Sequence, residues 1–188
     1  MGQLMARALF LDRDGTINVD HGYVHRIEQF EFVPGIFELV RFAVHELGWP
    51  VIVTTNQSGI GRGYFSEADF EALTRWMCER FAAENAPLTR IYHCPYHPRH
   101  GIGAYRIDHP WRKPKPGMML QAAADYGIDL GKSVAIGDSA RDIEAAETAG
   151  IGLCLHLNPA GGANAPTKHP AVGSLAEALN FIRAHVKK

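Results

Sequence analysis

Short strand-like runs alternate with stretches of helical spacing along most of this chain, and that alternation is what most limits the folds open to it. The runs are RALFLD (7–12), PVIVTTN (50–56), RIYHC (90–94), SVAIGD (133–138) and IGLCLHL (151–157). Each is short, apolar or β-branched, and suited to a buried strand. The intervening segments carry helix punctuation. Residues 34–48 open on Pro34 and stop at Gly48, residues 117–127 close on Gly127, and residues 140–150 close on Gly150. Ser66 with Asp69, and Ser174 with Glu177, form capping-box patterns that open helices over 66–85 and 174–186. Residues 158–170, rich in Gly, Pro and Ala, read as a loop. Strands separated by helices predict a mostly parallel sheet covered on both faces, a Rossmann-like three-layer α/β sandwich.

In such a sheet ligands bind at the carboxyl ends of the strands, so the residues that follow each run are the ones to inspect. After the first run, Asp12 and Asp14 are two positions apart and point to one side of an extended segment, with Gly15 permitting a sharp turn. Two carboxylates so close call for a cation, and Mg²⁺ prefers hard oxygen ligands. A solvated Asp-Gly turn explains this stretch equally well on its own. After the second run, TTNQSG (54–59) offers hydroxyls and backbone N–H groups to an anion, or is an ordinary polar loop. Arg112 and Lys113 stand as adjacent cations ahead of the 117–127 helix. Asp138 ends the fourth run; Asp142, one turn on, is either a further ligand or a first-turn carboxylate favoured by the helix dipole. Together these pieces have the order of a metal-assisted phosphoryl-transfer site.

Composition narrows the class. The 188 residues carry 19 basic and 20 acidic side chains, a net charge of −1, which lacks the basic excess of a nucleic-acid or membrane-surface binder. Three widely spaced cysteines make no disulfide framework and point to a reducing compartment. With no run of roughly 18 apolar residues and no secretory signal pattern at the amino end, a cytoplasmic protein with no membrane partner is expected.

The same stretches resemble the four motifs of the haloacid dehalogenase (HAD) superfamily of phosphotransferases. Within it, DRDGTINVDHGYVHRIEQFEFVPG, TTNQSGIGRGYFSE, CPYHP, RKPKPGMM and IGDSARDIEAA are similar to the heptose-bisphosphate phosphatase family, with histidinol-phosphate phosphatases as near relatives. The resemblance implies one phosphatase domain over 1–188, a loop insert at about 94–111, and no large cap domain. It implies Asp12 as nucleophile, Asp14 as general acid and base, and Thr55 and Lys113 as binders of the transferring phosphoryl group. Mg²⁺ would be held by the Asp12 carboxylate, the Asp14 backbone carbonyl and Asp138. Asp20, His21, Gly22, Tyr23, Asn56, Gln57, Ser58 and Arg112 would bind the substrate, a small sugar bisphosphate, with Arg112 suited to its second phosphate. A monomer is expected.

One segment departs from the family pattern. Residues 93–109 hold Cys94 with His93, His97, His100 and His109, where relatives carry a zinc site of the form Cys-x-His, a loop, then Cys-x-Cys. Tyr96 occupies the histidine position, and His109 and Trp111 occupy the two cysteine positions, so only Cys94 and His109 are in register. Zinc takes four N or S ligands, and a zinc-free loop packed by Tyr96, Tyr105 and Trp111 is expected instead.

Overall fold

The structure is a computed structural model that describes residues 6–159 and 169–186. Most of the expected 158–170 loop therefore lies outside the described residues. The strands are β1 (Leu9–Leu11), β2 (Val51–Asn56), β3 (Arg90–Cys94), β4 (Val134–Gly137), β5 (Leu153–Leu157) and β6 (Ala171–Val172). The helices are α1 (Ile36–Arg41), α2 (Ser58–Gly61), α3 (Glu67–Ala83), α4 (Gly117–Tyr126), α5 (Ala140–Ala149) and α6 (Leu175–His185).

All strand pairs are parallel, in the order β3-β2-β1-β4-β5-β6. β1 is the centre: Leu9 pairs with Val51 on one side and Val134 on the other. Its period-2 alternation divides the core. Leu9 and Leu11 pack with Leu39 of α1, Leu73 of α3 and Ile182 of α6, whereas Phe10 packs with Met118 of α4 and Ile143 of α5. Phe10 is fully buried, so Phe10→Ala is expected to cost about 3–5 kcal/mol. The chain runs outward from β1 through β2 to β3, then returns to the other side of β1 for β4. The crevice at that reversal, between the carboxyl ends of β1 and β4, is where a fold of this kind binds ligands.

The elements differ from the sequence reading in several places, among them the short helix α2 in what was read as a loop. Of residues 7–12, only Leu9–Leu11 form the strand. The 34–48 helix is regular only to Arg41; Phe42–Glu46 widen into a π-helical turn, closed by the Leu47 N–H donating to the Phe42 carbonyl. β6 was not expected, because two residues are too few to display a period.

Candidate active site

The sheet's carboxyl edge opens into a cleft of about 380 Å³. Asp12, Asp14, Thr55, Lys113 and Asp138 all line it, so four segments far apart in sequence converge there. Lys113 is at its floor and is 3% exposed. Its ammonium lies 2.7 Å from Asp12 Oδ1 and 2.7 Å from Asp142 Oδ1, and it donates to the Thr54 carbonyl at 2.7 Å. Burial opposes that charge, but Asp12 and Asp142 outweigh it and hold Lys113 above the usual lysine range. The same burial pushes the Asp12 carboxyl up to about 8, with Lys113 working against it and Asp142 adding repulsion. Burial and then Asp142 raise Asp138 to about 6.

Asp142 was open at the level of sequence, and in the structure it caps its helix and pairs with Lys113. Its Oδ2 accepts from the Ser139 backbone N–H and hydroxyl, which caps α5, while Oδ1 faces Lys113. Asp12, Asp138 and Asp142 each present one oxygen, and these oxygens lie within 4.8 Å of one another. Asp138 reaches this position because residue 15 is glycine: a Cβ there would stand 2.1 Å from Asp138 Oδ2. The donor set is all carboxylate oxygen, it carries more negative charge than Lys113 offsets, and Asp138 has no ion-pair partner among the described residues. A hard divalent cation fits it.

The Asp14 carboxylate is turned away from that cluster. It is held by Arg13 Nη2 at 2.7 and 2.8 Å, Asn18 Nδ2 at 3.0 Å and Gln57 Nε2 at 2.9 Å. Only its backbone carbonyl is left for the metal role implied by the resemblance. Arg13 is itself 2% exposed and donates to the Val24 carbonyl at 2.6 Å. Sequence reasoning passed over Arg13, since a charged residue between two aspartates reads as solvated.

The expected substrate residues sort into different tasks. Asp20, Gly22, Tyr23, Asn56, Gln57, Ser58 and Arg112 line the cleft. His21 does not; its Nε2 faces Glu31 Oε2 at 3.2 Å on the outer side. The cause is the backbone, which turns through positive φ at Gly22 (78°) and Tyr23 (53°) and is pinned by the Gly22 N–H on Asp20 Oδ1. Asn56 is spent on the protein. Its side-chain amide donates to the Lys113 carbonyl and accepts from the Lys113 N–H, both at 3.0 Å, and so clamps that segment to the end of β2. Gln57 bridges Asp14 and Thr55, donating to each at 2.9 Å.

The mouth of the cleft has the opposite charge. Arg62, Arg112 and Arg141 line it with His97, and none of the three arginines has a carboxylate partner among the described residues. Among the described residues the Arg112 guanidinium donates only to the Tyr96 carbonyl, at 3.1 Å. Arg62 and Arg141 were not singled out from the sequence, because only the fold brings the end of α2 and the first turn of α5 to the same cleft as Arg112.

The loop between β3 and Arg112 is packed by rings. Tyr96 stacks on His109 (4.5 Å, 21°), and Trp111 meets His109 and Tyr92 edge-on, each at 5.9 Å. His109 Nδ1 accepts from the Trp111 N–H, and burial raises the Cys94 thiol.

A D-glycero-alpha-D-manno-heptose-1,7-bisphosphate 7-phosphatase of Burkholderia mallei is 56% identical over 149 residues, which are 79% of this chain and 78% of that one. The chain belongs to the heptose-1,7-bisphosphate 7-phosphatase family. A second member, the D-glycero-beta-D-manno-heptose-1,7-bisphosphate 7-phosphatase of Vibrio cholerae, is 51% identical over 77% of each chain. The fold of the heptose-1,7-bisphosphate 7-phosphatase family is matched as well. The D,D-heptose 1,7-bisphosphate phosphatase from B. bronchiseptica, a structure complexed with magnesium and phosphate, superposes with a TM-score of 0.81 at 28% identity, over 95% of this chain and 98% of that one. Residues 110–176, which carry Lys113, Asp138 and Asp142, also match the HAD-hydrolase-like family model.

Proposed function

We propose that the protein is a Mg²⁺-dependent phosphatase that removes the C7 phosphate of D-glycero-D-manno-heptose 1,7-bisphosphate, supplying heptose for lipopolysaccharide core or a related glycan. The observation that carries this reading is the division of one cleft into an anionic, cation-ready floor and a cationic mouth. A substrate with a phosphate at each end satisfies both halves. The arginines suit an anion because no carboxylate among the described residues pairs with them.

Asp12 attacks phosphorus, forming a carboxylate–phosphorus bond as the bond to the sugar oxygen breaks. Asp14 gives its proton to that oxygen, then takes one from the water that cleaves the aspartyl phosphate. In the free site its oxygens are committed to Arg13, Asn18 and Gln57, so substrate binding has to exchange one of these contacts for the leaving oxygen. Thr55 and Lys113 hold the transferring oxygens. Mg²⁺ bound by Asp12, Asp138 and the Asp14 carbonyl would offset the repulsion between an attacking carboxylate and a phosphate dianion.

The nearest competing reading, histidinol-phosphate phosphatase, is disfavoured by the mouth: that substrate carries an ammonium away from its phosphate, which three arginines repel, and no second anion for them to bind. Steady-state kinetics on both heptose bisphosphate anomers, fructose 1,6-bisphosphate and histidinol phosphate test the assignment. Heptose bisphosphate is expected to have the highest kcat/KM, and a higher value for histidinol phosphate overturns it. Phosphate release should require Mg²⁺ and vanish in a folded Asp12→Asn protein; retained activity in that variant removes the proposed nucleophile and favours a silent binding protein.

The cleft is built within one chain, which supports action as a monomer. No helix among the described residues is long and apolar enough to cross a membrane. Three free cysteines support a cytoplasmic setting.

A further inference from the structure

His97 is the only one of the loop histidines to line the cleft, and its ring is fixed from behind. Its Nδ1 accepts the backbone N–H of Arg99 at 3.2 Å and of His100 at 3.1 Å. The His97 backbone N–H donates to the Tyr105 carbonyl, and the His97 backbone carbonyl accepts from the Gly101 N–H. A nitrogen that accepts two N–H groups carries no proton, so the neutral ring bears its proton on Nε2. Nε2 has no hydrogen-bond partner among the described residues. The ring shares the mouth with Arg62, Arg112 and Arg141, and no carboxylate pairs with those cations among the described residues. Beside these arginines, a donor with no partner is best satisfied by an anion or water.

We propose that His97 is a specificity residue: a tautomer-locked, uncharged donor whose Nε2–H binds the phosphate that is not hydrolysed, beside Arg112. This rests on the bisphosphate reading and adds a residue to it. The role needs no imidazolium. Burial and the neighbouring Arg112 and Arg62 hold the ring well below the usual histidine range, so it stays neutral and adds direction without adding charge to a crowded mouth. It also gives this histidine a task other than metal ligation, since Nδ1 is engaged by backbone N–H groups.

The test separates the two ring nitrogens. His97→Asn keeps an oxygen where Nδ1 accepts and removes the outer donor; His97→Gln puts an amide N–H near the Nε2 position. With the Mg²⁺-loaded enzyme, the readout is the ratio of kcat/KM for heptose 1,7-bisphosphate to that for heptose 7-phosphate, which lacks the distal phosphate. His97→Asn should lower the ratio about tenfold, chiefly through KM, as loss of one hydrogen bond to a charged group predicts. His97→Gln should recover most of it. Equal losses on both substrates would show a purely structural role and overturn the proposal. Arg112→Ala distinguishes the two levels of inference: if it lowers the ratio while His97→Asn does not, the His97 assignment fails alone, and if neither lowers it, the bisphosphate reading fails too.

Discussion

Lys113 Nζ lies 2.7 Å from Asp12 Oδ1, joining residues 101 positions apart at the floor of the cleft. The same ammonium balances Asp142, so one cation serves two buried carboxylates. Lys113→Met leaves both unpaired. Turnover is expected to fall on the order of 10³-fold, as for loss of a preorganised donor to the transition state. Stability should fall by about 3 kcal/mol. Melting curves with and without Mg²⁺ and single-turnover phosphate release check this, with Mg²⁺ expected to recover part of the stability and little of the rate.

Arg13 is buried against Asp14, and its loss is expected to be felt as stability before chemistry. Arg13→Met should lower stability by roughly 3 kcal/mol, or about 6–12 °C in Tm for a chain of this size. Arg13→Lys should recover only part, because an ammonium lacks the second nitrogen, Nε, with which the guanidinium fork also donates to Asp14 Oδ1 at 3.2 Å.

Without metal, Asp12 (about 8) and Asp138 (about 6) retain protons that the unfolded chain releases near its ordinary value of 3.8. Their contribution to stability is complete below about pH 4 and is lost as pH rises through those two values. His97, lowered to about 4 from 6.5, acts in the opposite sense between those limits and is silent above them. Between about pH 6.5 and 8 the site is governed by Asp12, and the Mg²⁺-free protein should lose roughly 2 kcal/mol. Saturating Mg²⁺ should flatten the slope, which calorimetry at several pH values measures.

Asp142→Asn should retain the α5 cap, because an amide oxygen can still accept from the Ser139 N–H. It removes a charge from the carboxylate cluster, so apparent Mg²⁺ affinity should weaken about tenfold with a change in Tm within about 4 °C. Isothermal titration of the metal reads this directly. An unaltered affinity would confine Asp142 to holding Lys113.

Elemental analysis of protein purified without chelator should find under about 0.1 zinc per chain, since structural zinc needs four dedicated ligands. In this loop His109 stacks on Tyr96, and its Nδ1 accepts from the Trp111 N–H. About one zinc per chain would require the loop to repack around the metal.

The aspartates were legible because strand ends can be read from local pattern, and Asp12, Lys113 and Asp138 each follow or precede a recognisable element. What sequence alone missed depends on tertiary approach. Arg13 becomes a buried holder of Asp14 only when residues 13–24 fold back on themselves. Arg62 and Arg141 become one cationic mouth only when the fold brings the end of α2 and the first turn of α5 to the same cleft. His21 was included because its neighbours face inward, and two residues with positive φ send it outward. Around Cys94 the rings pack on one another, Tyr96 on His109 and His97 against His100.

The paired hydrogen bonds between Asn56 and the Lys113 backbone separate what can drift from what cannot. The excursion from β3 departs beside the end of β2 and returns to it at this amide. Residues 95–111 can therefore change length, ligands or ring content without moving the lysine at the floor. Substrate preference can be rewritten in that loop over evolutionary time, or by an engineer, while the hydrolytic centre stays as it is.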